Sequence, residues 1–365
     1  TLNQPVRCVM STVSVTRYAE DLWFDVGGYT VRRMAAAEAG ELPDGFRAVY
    51  GEDYLSARVY DSAALADLVT SGDQVSYLAR DPRGRLAGHI ALTRSAPNRQ
   101  LWEMGQAIVL PDHRKSGIFR WLFQAALTHA TRDPACVGLF ATSLTNHVVS
   151  QKVCAEAGFK EVGLEIDYVP QRMLVKEGAQ GAIATIVQYM PVQAAAPRPA
   201  YVPESYRDWI GDLLAAVDER GPVHASLGAG RLVSEASQID ALDLPRFDMT
   251  RLTLARAGAD FGRRIGLAER TAAASGRRTV QVLVPLDRPD GAAAFARLRD
   301  RGYGFSGLLP RFLPDGGHAG MLYRSFDQPN LEEIQAYSPM AQDLLAAVQA
   351  DWAARPRLQP AMAAA

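Results

Sequence analysis

Glu103 is the one acid in a largely apolar run, Leu101-Trp-Glu-Met-Gly-Gln-Ala-Ile-Val-Leu110. In an extended strand, side chains alternate, so Leu101, Glu103, Gly105, Ala107 and Val109 share a face and the carboxylate stands beside very small residues. Such a face leaves room for a substrate next to a group able to take a proton. The alternative is a strand-end glutamate that reaches solvent or pairs with an arginine. Directly after the run comes Pro111-Asp-His-Arg-Lys-Ser-Gly-Ile-Phe119, a proline-started turn of basic and small residues that opens an amphipathic helix, Arg120–Thr131. A strand feeding a helix through such a turn leaves backbone N–H groups without intrahelical partners. Beside Arg114 and Lys115 they make a site for a phosphate group.

The stretch resembles the acyl-CoA-binding signature of the GNAT superfamily of N-acetyltransferases, a strand followed by Pro-x-x-Arg-x-x-Gly-x-Gly/Ala. Pro111, Arg114 and Gly117 occupy the places of that pattern; Phe119 replaces its last glycine, and Lys115-Ser116 stand where Gly-Lys is commoner. The resemblance implies that Arg114, Lys115, Ser116, Gly117, Ile118 and Phe119 hold the pyrophosphate of coenzyme A. It also implies that N–H groups around Val109 and Leu110, freed by a bulge, bind the thioester carbonyl. Glu103, eleven residues before Arg114, stands where the histone-acetyltransferase branch carries its general-base glutamate.

The superfamily further carries Asn-x-x-Ala-x-x-Leu-Tyr ahead of a Gly-Phe, the Asn touching the pantetheine arm and the Tyr protonating the thiolate. Counted back from Gly158-Phe159, the Asn place falls on His147 with Asn146 one residue early, the Ala place on Ser150, and the Tyr place on Cys154. Two readings of His147 stand: a neutral imidazole bonded to the donor or the amine, or a surface residue. Two also stand for Cys154: a proton source for the thiolate, with an ordinary pKa near ~8.5, or a small residue packed in a helix while water supplies the proton. Lys152 either assists with phosphates or is solvated.

The elements that must position these residues follow from periodicity and turn signals. Strands are predicted at Tyr29–Met34, Val75–Arg80, Arg85–Thr93, Leu101–Leu110, Val137–Ser143, Phe159–Val169 and Ala182–Met190. Helical segments are predicted at Ala35–Gly40, Gly45–Tyr50 and Ser62–Ser71, from Ser116, and from about His147 to Ala157. That order is the superfamily's. Gly158-Phe159, Gly163 and Pro170 recur as Gly302-Tyr303, Gly307 and Pro314, all shifted by 144 positions, and Val280–Leu286, Gly291–Arg301 and Gly320–Phe326 echo the matching elements. The fold class expected is α+β, a mixed α/β sheet in two tandem acyl-CoA N-acyltransferase (GNAT-like) domains. The boundaries are an arm at 1–28, an acyl-CoA-binding domain at 29–192, a linker at 193–202, a degenerate domain with a C-terminal helix at 203–354, and a flexible tail at 355–365. In the second domain the phosphate-loop position holds Arg256-Ala-Gly-Ala-Asp-Phe-Gly-Arg263, with an acid where phosphates would lie, and no cofactor is expected there.

Of 365 residues, 48% are apolar and 22% charged, with a net charge of −1, which argues against nucleic acid or an anionic membrane as partner. Cys8, Cys136 and Cys154 show neither a disulfide framework nor metal-ligand spacing, and the six histidines show no helical metal pair. No apolar run has the length of a membrane span or a signal peptide, so a reducing cytoplasm is the expected home. The function expected is N-acyl transfer from acetyl-CoA or another acyl-CoA, without a metal, to a small amine-bearing acceptor, with a homodimer allowed for. The alternative is a non-catalytic acyl-CoA-binding or regulatory protein, which loss of the Tyr and of the last loop Gly would suit.

Overall fold

The computed structural model describes residues 14–17, 22–173, 181–194, 196–226, 232 and 234–356. The chain divides into two compact units, Thr1–Thr93 with Met104–Asp133, and Arg94–Glu103 with Pro134–Ala365. The division falls inside the 29–192 region, at a strand that contributes to both units.

In the first unit lie β1 (Ser14–Arg17), β2 (Leu22–Val26), β3 (Tyr29–Arg33), α1 (Leu42–Tyr50), α2 (Ser62–Ser71), β4 (Gln74–Arg80), β5 (Leu86–Thr93), most of β6 (Leu101–Val109) and α3 (Ile118–Arg132). The strands follow sheet order β1-β2-β3-β4-β5-β6. The expected arm therefore ends in two strands, because Gly27-Gly28 takes the positive φ angles (58° and 83°) that a tight β2–β3 turn needs; residues 1–13 and 18–21 lie outside the described residues. Between β4 and β5 the Asp81 carboxylate accepts the N–H groups of Arg83 and Arg85, each at 2.9 Å. At the start of α2, Asp61 accepts from Ala63 and Ala64 at 3.0 and 3.1 Å, and Gly72 in the left-handed region closes the helix. Met34, Leu42, Phe46, Leu65, Leu78 and Ile108 form the core on one side of the sheet, and α3 packs on β4 and β5.

The second unit holds the first residues of β6, then β7 (Gly138–Leu144), α4 (Val149–Glu156), β8 (Lys160–Val169), β9 (Ile183–Pro191), β10 (Ala200–Pro203), α5 (Arg207–Ala216), β11 (Val223–Ser226), β12 (Gln238–Leu244) and β13 (Met249–Arg256). It continues with α6 (Phe261–Ala274), β14 (Thr279–Pro285), α7 (Pro289–Asp300), β15 (Gly304–Leu309), β16 (Ala319–Ser325) and α8 (Pro339–Ala354). Leu101, Trp102 and Glu103 pair in parallel with Gly138, Leu139 and Phe140, and the sheet runs on as β7-β9-β8-β15-β16-β14-β13-β12. The expected linker 193–202 ends in β10, which pairs in parallel with β11, because Ala200 and Val202 alternate into the core. Of the expected tail, 357–365 lies outside the described residues. Among the described residues no helix is long and apolar enough to cross a membrane.

The succession β12-β13-α6-β14-α7-β15-β16 carries sheet order β12-β13-β14-β16-β15, with β13 and β14 parallel. It matches β5-β6-α3-β7-α4-β8-β9 element by element, and β6-β7-β9-β8 has the same order and the same parallel pair. The two successions meet where β8 and β15 run antiparallel with Gly163 opposite Gly307. A Cβ on Gly307, whose φ is 123°, would collide with Gly163 Cα and the Val162 carbonyl oxygen. A glycine pair at this seam thus has a packing reason as well as a backbone one, and α8 packs across both strands.

Two predictions follow from these contacts. Gly307→Ala should lower unfolding free energy by about 2–4 kcal/mol, whereas Gly262→Ala, on a helix with nothing within 4 Å of the new methyl, should raise it by about 0.5–1 kcal/mol; denaturant titration of both checks this. The second concerns His89, which is fully buried. Its Nδ1–H donates to the Gln106 carbonyl at 2.8 Å, and its Nε2 accepts from Ser76 Oγ at 3.0 Å. Burial lowers its pKa from 6.5 to about 4, so the fold excludes a proton that the unfolded chain binds, and stability falls as pH drops from 6.5 toward 4. Between about pH 7.5 and about pH 5, wild type should lose about 2 kcal/mol more than His89→Gln; equal pH dependence in thermal melts would refute it.

Candidate active site

The phosphate loop lies in the first unit. Pro111–His113 forms a single 3-10 turn, His113 Nδ1 and the Tyr29 hydroxyl are 3.1 Å apart, and Ser116 Oγ donates to the His113 carbonyl at 2.6 Å. Lys115 and Gly117 both take positive φ, 66° and 83°, and α3 begins at Ile118. Positive φ at two nearby positions before a helix start is backbone suited to an anion. Among the described residues the N–H groups of Lys115, Gly117 and Phe119 have no intramolecular acceptor. Nothing lies within 4 Å of a Cβ built on Gly117, and the exposed Arg114 and Lys115 make no ion pair among the described residues. The Phe119 ring packs edge-on against Phe123 at 6.3 Å, which keeps its bulk off the loop while its amide stays in place.

Upstream, Gln106 on β6 takes a positive φ of 51°, and the His89 hydrogen bond holds that residue's carbonyl. This departure from extended backbone lies three residues before Val109. The Leu110 N–H donates to the Ala87 carbonyl at 2.9 Å, so the oxyanion role expected of Leu110 is corrected: its amide is spent in the sheet. Successive strand amides point to opposite edges, which leaves the Val109 N–H on the other edge of β6.

The remaining candidates belong to the second unit. Glu103 is half-buried on β6, as are Gly105, Ala107 and Val109, while Leu101, expected on the same face, is buried. Burial raises its pKa above the ordinary carboxylate value and Glu165 adds to the rise, while Ser95 and Thr142 hydrogen bonds and the Arg251 charge oppose it. A carboxyl moved upward is better matched to taking a proton near neutral pH.

The helix α4 starts at Val149, later than expected, so His147 precedes it rather than opening it. The loop is held from afar. Gln151 Nε2 donates to the carbonyls of Leu144, His147 and Gln335. The Gln335 N–H and side chain donate to the carbonyls of Thr145 and Asn146 at 2.9 and 3.0 Å. His147 Nδ1 is buried without a hydrogen-bond partner, an imidazole nitrogen with capacity to spare. Ser150 is half-buried in the first turn of α4, and Lys152 is exposed, 3.9 Å from Glu156 and near the Tyr337 ring. Cys154 corrects the expectation of a thiol acid: it is 3% exposed, and burial pushes its pKa up to about 12. It packs on the inner face of α4. Among the described residues no group of three His, Cys, Asp or Glu could hold a metal ion.

In the second succession the loop equivalent is closed by its own chain. The Ala257 N–H donates to Asp290 at 2.9 Å, the Gly258 N–H to Ser237 Oγ at 2.9 Å, and the Ala259 N–H to the Ser234 carbonyl at 2.8 Å. Asp260 in turn accepts the Ser237 N–H at 2.7 Å. A Cβ on Gly258 would collide with the Ala236 backbone.

Residues 41–159 match the model of the acetyltransferase (GNAT) family. A search of curated proteins finds no match to the sequence. Among solved structures, the chain is similar to a ribosomal-protein-S5-alanine acetyltransferase from Vibrio fischeri, at 15% identity and TM-score 0.39 over 48% of this chain and 100% of that one. It is similar also to a phosphinothricin acetyltransferase from Sinorhizobium meliloti in complex with acetyl-CoA, at 19% identity and TM-score 0.38 over 45% of this chain and 88% of that one. A third is a putative acetyltransferase from Salmonella typhimurium with acetyl-CoA, at 16% identity and TM-score 0.38 over 46% and 97% of the two chains. The stretch matched by that family's model, residues 41–159, includes the loop with positive φ at Lys115 and Gly117.

Proposed function

We propose that the chain transfers an acyl group, with acetyl-CoA the expected donor, directly to a small amine-bearing acceptor. The observation that carries the reading is the set of unspent N–H groups at Lys115, Gly117 and Phe119 beside two exposed cations, a geometry that suits the pyrophosphate of coenzyme A. Glu103 takes the proton that the amine loses, directly or through a water, as the nitrogen lone pair attacks the thioester carbonyl carbon. The Val109 N–H donates to the carbonyl oxygen as it gains charge. The C–S bond then breaks, and the thiolate takes its proton from water, since Cys154 is buried. Asn146, His147 and Ser150 line the pantetheine arm. Residues 29–192 and 203–354 are tandem domains of one fold, the second shaping the acceptor side. The near-neutral charge favours a small acceptor over a phosphate-rich one.

The buried thiol at position 154, where the family's acid belongs, favours a second reading, a non-catalytic acyl-CoA-binding protein. Thioester turnover followed with a thiol reagent across a panel of amines separates the two. Wild type should turn over at least one amine of low pKa, and Glu103→Gln should be slower by roughly 10²–10⁴-fold with unchanged acetyl-CoA affinity. Tight acetyl-CoA binding with no turnover of any amine would favour the second reading, and undiminished turnover in Glu103→Gln would move the base elsewhere.

A further inference from the structure

Glu103 is the third residue of β6, and Arg251 is the third residue of β13, the strand at the same place in the second succession. Each faces the third residue of the following parallel strand, Phe140 on β7 and Gln281 on β14. The repeat thus sets a carboxylate and a guanidinium at equivalent positions on the two sides of the β8–β15 seam. Strand β8, which forms the seam from the first half, supplies the groups that connect them.

Arg251 Nη2 donates to Glu165 Oε1 at 2.6 Å, and its Nε donates to Gln281 Oε1 at 2.6 Å. The other Glu165 oxygen accepts from Thr185 Oγ1 at 3.0 Å. The guanidinium carbon lies 5.8 Å from the centre of the Tyr168 ring, and that ring stacks on Phe247 at 4.6 Å with 15° between planes. Both Glu165 oxygens and two edges of the guanidinium are therefore committed. Glu103 feels the same two charges, and among the described residues its hydrogen-bond partners are the hydroxyls of Ser95 and Thr142. The charged and titratable groups facing it are Glu165 and Tyr168 from β8 and Arg251 from β13. One arginine serves two carboxylates, and the geometry gives it to Glu165.

We propose that Arg251, contributed by the second half of the chain, is a positioning residue for acyl transfer: by fixing Glu165 in an ion pair it leaves Glu103 as the carboxylate free to take the acceptor's proton. The proposal rests on Glu103 being the base. It gives the second domain a part in the chemistry that shaping the acceptor side does not include, and it gives a use to the cation on β13 where the first half has an acid. The signs follow from Coulomb's law. Arg251 pulls the Glu103 titration down and Glu165 pushes it up, so removing either one moves it, in opposite directions.

The test follows the Glu103 carboxyl itself by carbon NMR in the full chain, assigned by its disappearance in Glu103→Gln, beside the pH profile of kcat/KM for a low-pKa amine. Arg251→Met should raise the Glu103 titration by about one pH unit and Glu165→Gln should lower it by about one, with the double variant returning toward wild type. Arg251→Lys, which keeps the charge, should restore most of the shift, and the acidic limb of kcat/KM should follow each titration while KM for acetyl-CoA stays constant. Arg251→Lys and Glu165→Gln keep size and polarity, so the comparison survives if Arg251→Met fails to fold. A Glu103 titration that neither substitution moves, or that both move the same way, overturns the positioning role while leaving Glu103 as base. A titration that moves as expected while the acidic limb stays fixed removes Glu103 as base and overturns the role in transfer.

Discussion

A backbone N–H at the start of a helix must find an oxygen, and how this chain meets that demand separates its two halves. At Lys115, Gly117 and Phe119 the described residues supply none, while the Ser116 and Ile118 N–H groups donate to the His113 carbonyl and Ser116 Oγ, and Lys115 and Gly117 take positive φ. At Ala257–Ala259 the chain supplies three, from Asp290, Ser237 and the Ser234 carbonyl. The Asp290 carboxylate comes from the next helix, α7. The same strand order therefore yields one loop with amides left open and one whose amides are spent within the chain.

The second demand is electrostatic. Glu103, Glu165 and Arg251 share a poorly solvated region, where an unpaired carboxylate is costly. Pairing Glu165 with Arg251 and Thr185 meets most of that cost and leaves Glu103 with a raised pKa. A carboxylate left in this state suits the base role proposed for Glu103 better than it serves stability. The β8–β15 seam, with Gly163 against Gly307, is what lets β13 and β8 belong to one sheet. Packing, charge and chemistry are linked there.

The local parts of this account are legible in the sequence. Pro111, Arg114 and Gly117 lie within seven residues, so a turn, a helix start and two cations can be read together, and the 144-residue offset is visible because a seam that admits only glycine marks both strands. What depends on contacts far along the chain is not legible. Gln335 reaches the Thr145–Asn146 carbonyls across 189 or more residues, and Arg251 meets Glu165 across 86. Counting the third place on β13 would have found Arg251, but β12 is largely exposed along its length and lacks the hydrophobic pattern that marks a strand. Cys154 was readable as a position and not as an environment, since which face of α4 is covered depends on packing. The Leu110 amide failed for a similar reason: a hydrogen bond to Ala87 from the other side of the sheet leaves no mark in the residue types.

The central claim is that one loop of the two binds the donor, and the number of acetyl-CoA molecules bound per chain tests it most directly. Isothermal titration of the full chain should give one site per chain, weakened by about 10–10³-fold in Arg114→Glu, which removes a charge-assisted contact and adds repulsion, and unchanged in Arg263→Glu. Two sites per chain, or equal loss in both variants, would contradict it.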